Sequence, residues 1–198
     1  MCCHILEISA LSKGVLQLAG ERMGHKVSVY PHNDLLNLAH YQIEKINKKV
    51  EKGDQDGISL DCMSAIIAMA FSVEAVINLV GRKRVKGWRE RNPYHRKAKE
   101  VCAVAGHSFN KSVEPYKTLW KLKELRDVMA HGKPIEFSAS IRTREDLRKS
   151  MECEWDAYSI PEYANHAWRK VKEFEHMLFK GAKLSVGQVL TGAIGLPQ

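Results

Sequence analysis

The sequence predicts a mainly α-helical protein, an antiparallel helical bundle with a small β-hairpin-like insertion before the last long helix. Three observations lead there. Apolar residues recur at helical spacing through several long stretches. One stretch, residues 59–80, is apolar nearly all round and so belongs at the centre of a bundle. Alternation with period two is confined to short segments. With 198 residues, 44% hydrophobic and 27% charged, the chain is long enough to bury one core without disulfide staples.

Taken in order, residues 4–18 show helical spacing with Gly20 as a stop, and Val27, Val29 and Tyr30 alternate like a short strand. Asn33 or Asp34 caps a helix to about Glu51, with Leu35, Leu36, Ala39, Ile43 and Ile46 as its stripe and lysines in its last turns. Residues 53–57 read as a loop. The apolar helix 59–80 is ended by Gly81. Asn92-Pro93 starts a helix to Val104 or Ala105, before Gly106, and Glu114-Pro115 opens another through Leu119, Leu122 and Leu125 to Ala130, closed by Gly132 and Pro134. Ile135, Phe137, Ala139 and Ile141 then alternate with polar residues, as do Met151, Cys153, Trp155 and Ala157. This predicts two strands joined by a charged turn at 144–149. Pro161 begins a helix to about Lys180, with Tyr163, Trp168, Val171, Phe174 and Leu178 inward. The tail from Gly181 holds four glycines and is expected to attach loosely. The organisation expected is an N-terminal helix and connector (1–31), a helical bundle (32–180) and a tail (181–198).

Residues 63–80 are long enough to raise the question of a membrane span. Glu74 and Asn78 within them are costly in lipid, so a buried core helix is the better reading and no membrane partner is expected. The five cysteines form no C-x-x-C pair. Cys62 and Cys102 read as small core residues. Cys2, Cys3 and His4 have the wrong spacing for the familiar zinc sites. No charged region followed by a long apolar run marks an export signal, so a reducing cytoplasm is the expected compartment. Neither a phosphate-binding lysine loop, a dinucleotide glycine fingerprint nor Gly-x-Ser-x-Gly occurs, and no metal or cofactor is expected.

The net charge of +8 is local. Nine basic residues lie between 82 and 99 (Arg82, Lys83, Arg84, Lys86, Arg89, Arg91, Arg96, Lys97 and Lys99) and only Glu90 opposes them, so this segment carries the whole excess. A concentrated positive field favours a polyanion, which makes Arg82, Lys83, Arg84, Lys86, Arg89 and Arg91 candidate RNA contacts; a solvated basic face is the alternative. Trp88, Tyr94 and His95 within the segment either stack on unpaired bases or anchor it to the bundle. Trp120, Trp155 and Trp168 are expected in the core or at a dimer contact.

The stretch Lys123-Glu124-Leu125-Arg126-Asp127-Val128-Met129-Ala130-His131-Gly132 carries the chemistry. Arg126 and His131 are separated by four residues. Upstream, Glu74 and Asn78 sit one turn apart in Ala70-Phe71-Ser72-Val73-Glu74-Ala75-Val76-Ile77-Asn78. Together these resemble the HEPN domains, helical bundles with an R-x4–6-H motif, over about residues 33–180. The resemblance implies a metal-independent ribonuclease of the toxin or antiviral kind. It also implies a homodimer in which two copies of the motif face each other; a subunit controlled by a cognate antitoxin or regulatory protein is a further reading that no residue here demonstrates. Many HEPN domains cleave nothing, so a non-catalytic module for RNA, nucleotide or protein assembly is the alternative reading.

The residue types suit RNA cleavage by 2′-OH attack. Histidine exchanges protons near neutral pH, and a guanidinium fork stabilises charge on the phosphoryl oxygens. Asp127 is placed to orient one of these groups. Glu74, a carboxylate on an apolar helix, needs a partner. Either it bonds Arg126 across the bundle and orients it, or it forms a core salt bridge without catalytic meaning. On an ideal helix a five-residue offset turns about 500°, leaving Arg126 and His131 about 140° apart unless the helix tightens or ends near Ala130.

Overall fold

The computed structural model describes residues 25–195. The predicted helix at 4–18 and the Cys2, Cys3 and His4 group lie outside them. Among the described residues are β1 (His25–Ser28), α1 (Pro31–Glu51), α2 (Ile58–Arg84), α3 (Tyr94–Val104), α4 (Tyr116–His131), α5 (Arg144–Ser150), α6 (Pro161–Gly181), a 3₁₀ turn (Val186–Gln188) and β2 (Gly192–Gly195). The fold is mainly α. Its helices form one compact unit, residues 29–190. β1 and β2 belong to a second unit, where they pair antiparallel with His25 opposite Gly195 and Ser28 opposite Gly192.

α2 is the axis of the bundle and packs against α1, α3, α4 and α6. It buries residues on every side, among them Ile66, Met69, Val73, Ile77 and Val80, as its all-round apolar pattern demands. By length and composition it is the one described helix able to cross a membrane, yet 61% of its apolar window is buried inside the bundle. α1 contributes Leu36, Ala39, Ile43 and Ile46, α4 contributes Leu119, Leu122 and Leu125, and α6 contributes Val171, Phe174 and Leu178. Trp155 and Trp168 pack partly buried against this core.

Several boundaries differ from expectation. α1 starts at Pro31, whose fixed φ suits a first turn, and not at an Asn33 or Asp34 cap. α2 runs past Gly81 to Arg84, because Gly81 serves close packing and not termination. A Cβ there would lie 2.4 Å from atoms of the Trp88 ring. α3 does end at its glycine: Gly106 has φ +79°, and His107 N–H reaches back to the Cys102 carbonyl at 2.8 Å.

The predicted hairpin over 135–157 does not form. Residues 132–143 have no regular structure, and the intended turn is the helix α5. Thr143 accepts from the Asp146 N–H while the Asp146 carboxylate accepts from the Thr143 N–H, a capping box with acids in the first turn and Arg148 and Lys149 in the last. Ile135 and Phe137 stay 83% and 65% exposed, so the alternation finds no partner face among the described residues. The segment after α6 is less loose than its glycines imply. Ala182 and Val189 are buried, Arg84 donates to the carbonyls of Ala182 (2.7 Å) and Lys183 (3.0 Å), and Asn33 Nδ2 donates to Val189 O.

Candidate functional site

Where α2, α3 and α4 meet, five charged side chains form a ladder. Lys97 on α3 donates to Glu74 Oε1 at 2.6 Å and to Asn78 Oδ1 at 3.2 Å, both on α2. Arg126 on α4 donates through Nη1 to Glu74 Oε2, and through Nε (3.1 Å) and Nη2 (2.8 Å) to Asp127 Oδ1. Lys123, one turn before, pairs with Asp127 Oδ2 at 2.6 Å. Lys97 is 3% exposed and the Arg126 side chain 16%, so the ladder is set into the bundle with its Glu74 and Asp127 steps nearer solvent. The Arg126 guanidinium also lies over the Phe71 ring, 5.5 Å from its centroid.

The bond expected between Glu74 and Arg126 is therefore present, and Asp127 orients the arginine and not the histidine. Three of the five N–H donors of Arg126 are engaged, leaving two for an anion. Burial pushes the Glu74 carboxyl up, but Lys97 and Arg126 outweigh it and hold it below the ordinary value. Asp127 follows the same balance, with Lys123 and Arg126 prevailing over burial. Burial disfavours the Arg126 charge, yet Asp127 and Glu74 reverse that and keep it protonated. The Tyr94 phenol is pushed well up, first by burial and then by the Glu74 charge, and stays neutral.

His131 is a different case. α4 remains helical through it, so the tightening that would bring it beside Arg126 does not occur within one chain. Its side chain is exposed on the last residue of the helix and makes no hydrogen bond or ion pair with Arg126 or any other described residue.

The basic segment is largely tied into the fold. Arg84 holds the chain after α6, Lys83 donates to Tyr30 Oη at 3.2 Å, Arg82 pairs with Glu90, Arg96 with Glu100, and Lys97 belongs to the ladder. Lys86, Arg89 and Arg91 are exposed and make no side-chain hydrogen bond or ion pair. Trp88 packs on Gly81 and Tyr94 on Trp120, so both anchor the segment, while His95 is exposed.

Sequence reasoning missed Lys97 as the partner of Glu74, although the signal was there. Tyr94, Lys97, Ala98, Val101 and Cys102 form one inward stripe on α3, and a lysine on such a stripe must meet a carboxylate. A groove of about 520 Å³ opens beside the ladder, lined by Phe71, Glu74 and Asn78 of α2 with Tyr30, His32 and Leu35 at the start of α1. Among the described residues no three His, Cys, Asp or Glu side chains are grouped as a metal would require. Compared with protein-family models, with curated proteins and with solved structures, the chain finds no match.

Proposed function

We propose that the chain is a metal-independent endoribonuclease of the HEPN type, a toxin or antiviral effector acting on cytoplasmic RNA as a homodimer. The observation that carries this reading is Arg126: a guanidinium clamped from two helices by Glu74 and Asp127, with two donors left for a phosphate. Such pre-organisation is what charge stabilisation in a transition state requires. His131, exposed at the helix end, takes the 2′-OH proton as that oxygen attacks phosphorus. A second imidazole, from the other copy, returns a proton to the departing 5′-oxygen, giving a 2′,3′-cyclic phosphate and a 5′-OH. The separation of Arg126 from His131 within one chain makes the second copy necessary to this reading. Lys86, Arg89 and Arg91 supply charge along the RNA, and an antitoxin or other regulatory protein would act on the motif.

The same separation favours a second reading, a HEPN-like RNA- or nucleotide-binding module without cleavage. One experiment divides them. Purified protein is incubated with total RNA in chelator, beside Arg126→Ala and His131→Ala, and product ends are analysed. Cyclic phosphate ends that vanish in both variants support the nuclease. Salt-sensitive binding without cleavage supports the module. Full cleavage by both variants eliminates the assigned site.

A further inference from the structure

The groove beside the ladder has a defined polar wall. Glu74 and Asn78 both line it and sit one turn apart on α2, where i and i+4 side chains are neighbours. Their free valences are set by Lys97. That ammonium has donors only, so it engages Asn78 through Oδ1 and leaves the Asn78 Nδ2 hydrogens unbound. It takes one lone pair of Glu74, Arg126 takes another, and about two acceptor sites remain on the carboxylate. The wall thus offers one donor beside an acceptor-only group. Phe71, 44% exposed, gives an aromatic face, and Leu35 and Leu79 add apolar lining. His32 also lines the groove: it is 1% exposed and its Nε2 has no hydrogen-bond partner. Arg82, 70% exposed, stands at the groove with its ion-pair partner Glu90, which also lines it.

We infer that this groove binds guanine. The Watson–Crick edge of guanine carries the O6 acceptor next to two donors, N1–H and N2–H2. Asn78 Nδ2 donates to O6, and the Glu74 carboxylate accepts from N1–H and N2–H2. Adenine turns an N1 acceptor toward the carboxylate, cytosine places one donor above two acceptors, and uracil flanks a single donor with acceptors, so each leaves a polar group opposed or unpaired. Phe71 stacks on the base, and the Arg82 donors not engaged by Glu90 face the phosphate. The inference rests on the ribonuclease reading for RNA as the source of the base, and on the groove alone for which base it is.

The test is calorimetric titration of full-length His131→Ala protein, in chelator, with GMP, IMP and AMP. It is paired with two oligoribonucleotides differing only in one guanine or adenine. IMP lacks the N2 amine, so the groove should bind IMP at least about tenfold more weakly than GMP, the loss of one hydrogen bond to a charged group. AMP should bind weakest. This comparison uses one protein and is independent of whether further variants fold. Phe71→Ala, which removes a part-exposed ring, should lower GMP affinity while leaving the unfolding midpoint close to that of its parent. Binding of GMP but not of the guanine oligonucleotide would support the groove with a free nucleotide as its source. AMP binding as tightly as GMP, IMP binding equal to GMP, or no binding of either GMP or the guanine oligonucleotide would overturn the inference. RNA cleavage by the unmutated chain without regard to guanine would overturn it and leave the nuclease reading intact. Guanine binding without cleavage would do the reverse.

Discussion

The middle of α4 and its end are built on opposite principles. At Arg126 every neighbouring charge has a partner: Lys97, Glu74, Arg126, Asp127 and Lys123 alternate in sign from α3 across α2 to α4. Five residues on, His131 is exposed and unpaired, and the chain beyond it runs to Thr143 without regular structure, with Ile135 and Phe137 in solvent. A buried charge is tolerated only when it is paired, so the arginine half of the motif is part of the fold. An exposed imidazole has no such obligation. One chain therefore completes the first half of the motif and leaves the second half free.

The strongest way to break this comparison is Glu74→Ala. It leaves Lys97, 3% exposed, with only Asn78, and should cost roughly 3 kcal/mol. For a chain of this size that lowers the unfolding midpoint by roughly 6–12 °C. Arg126→Ala leaves Glu74 with Lys97 and Asp127 with Lys123 and should cost less, about 1–2 kcal/mol. His131→Ala should stay within about 0.5 kcal/mol of the parent, as a surface substitution. Thermal melts of the three proteins give the ranking. A His131 effect as large as that of Glu74 would mean that the end of α4 is as integrated as its middle.

Acid sharpens the same contrast. Glu74 and Asp127 are held below their ordinary values of 4.5 and 3.8, so their stabilisation is complete above those values and is lost as pH falls through the lower folded ones. Stability should fall in that window, and Glu74→Gln should flatten the fall. The effect of His32 begins at higher pH. Burial holds it below 6.5, with the attraction of Glu175 only partly offsetting, so its contribution begins to decline as pH drops below about 6.5. Melting midpoints from pH 7 to pH 3 should show an early shallow loss that His32→Gln removes and a later, steeper one that Glu74→Gln reduces. An identical profile for Glu74→Gln and its parent would remove the ladder's electrostatic role.

Much of this was legible in the sequence. The all-round apolar pattern of 59–80 specified the axis, and Asn92-Pro93, Glu114-Pro115 and Pro161 marked three helix starts within a residue or two. Glu74 on that axis announced a buried partner, and Arg126 is one of the two it has. What was not legible depended on contacts distant in sequence. Gly81 looks like a terminator until Trp88 is seen against it. Lys97 looks like one more cation in a basic segment until α3 turns it inward. The alternation at 135–141 looks like a strand, but period two specifies a strand only where a second strand and a buried face exist, and among the described residues neither does.

The smallest expected effect concerns α5, which replaces the intended turn. None of its seven residues is buried, so it has no core contacts to hold it and depends on its ends. Thr143→Ala removes the acceptor for the Asp146 N–H and one half of the capping box, a loss of about 1 kcal/mol. Because α5 opens without exposing core, that loss should not move the global melting midpoint. It should instead appear as amide hydrogen exchange roughly fivefold faster across Arg144–Ser150, with the amides of α2 unchanged. Faster exchange in α2 as well would show that α5 unfolds with the bundle, and that the region beyond His131 is joined to the middle of α4 more closely than its exposure implies.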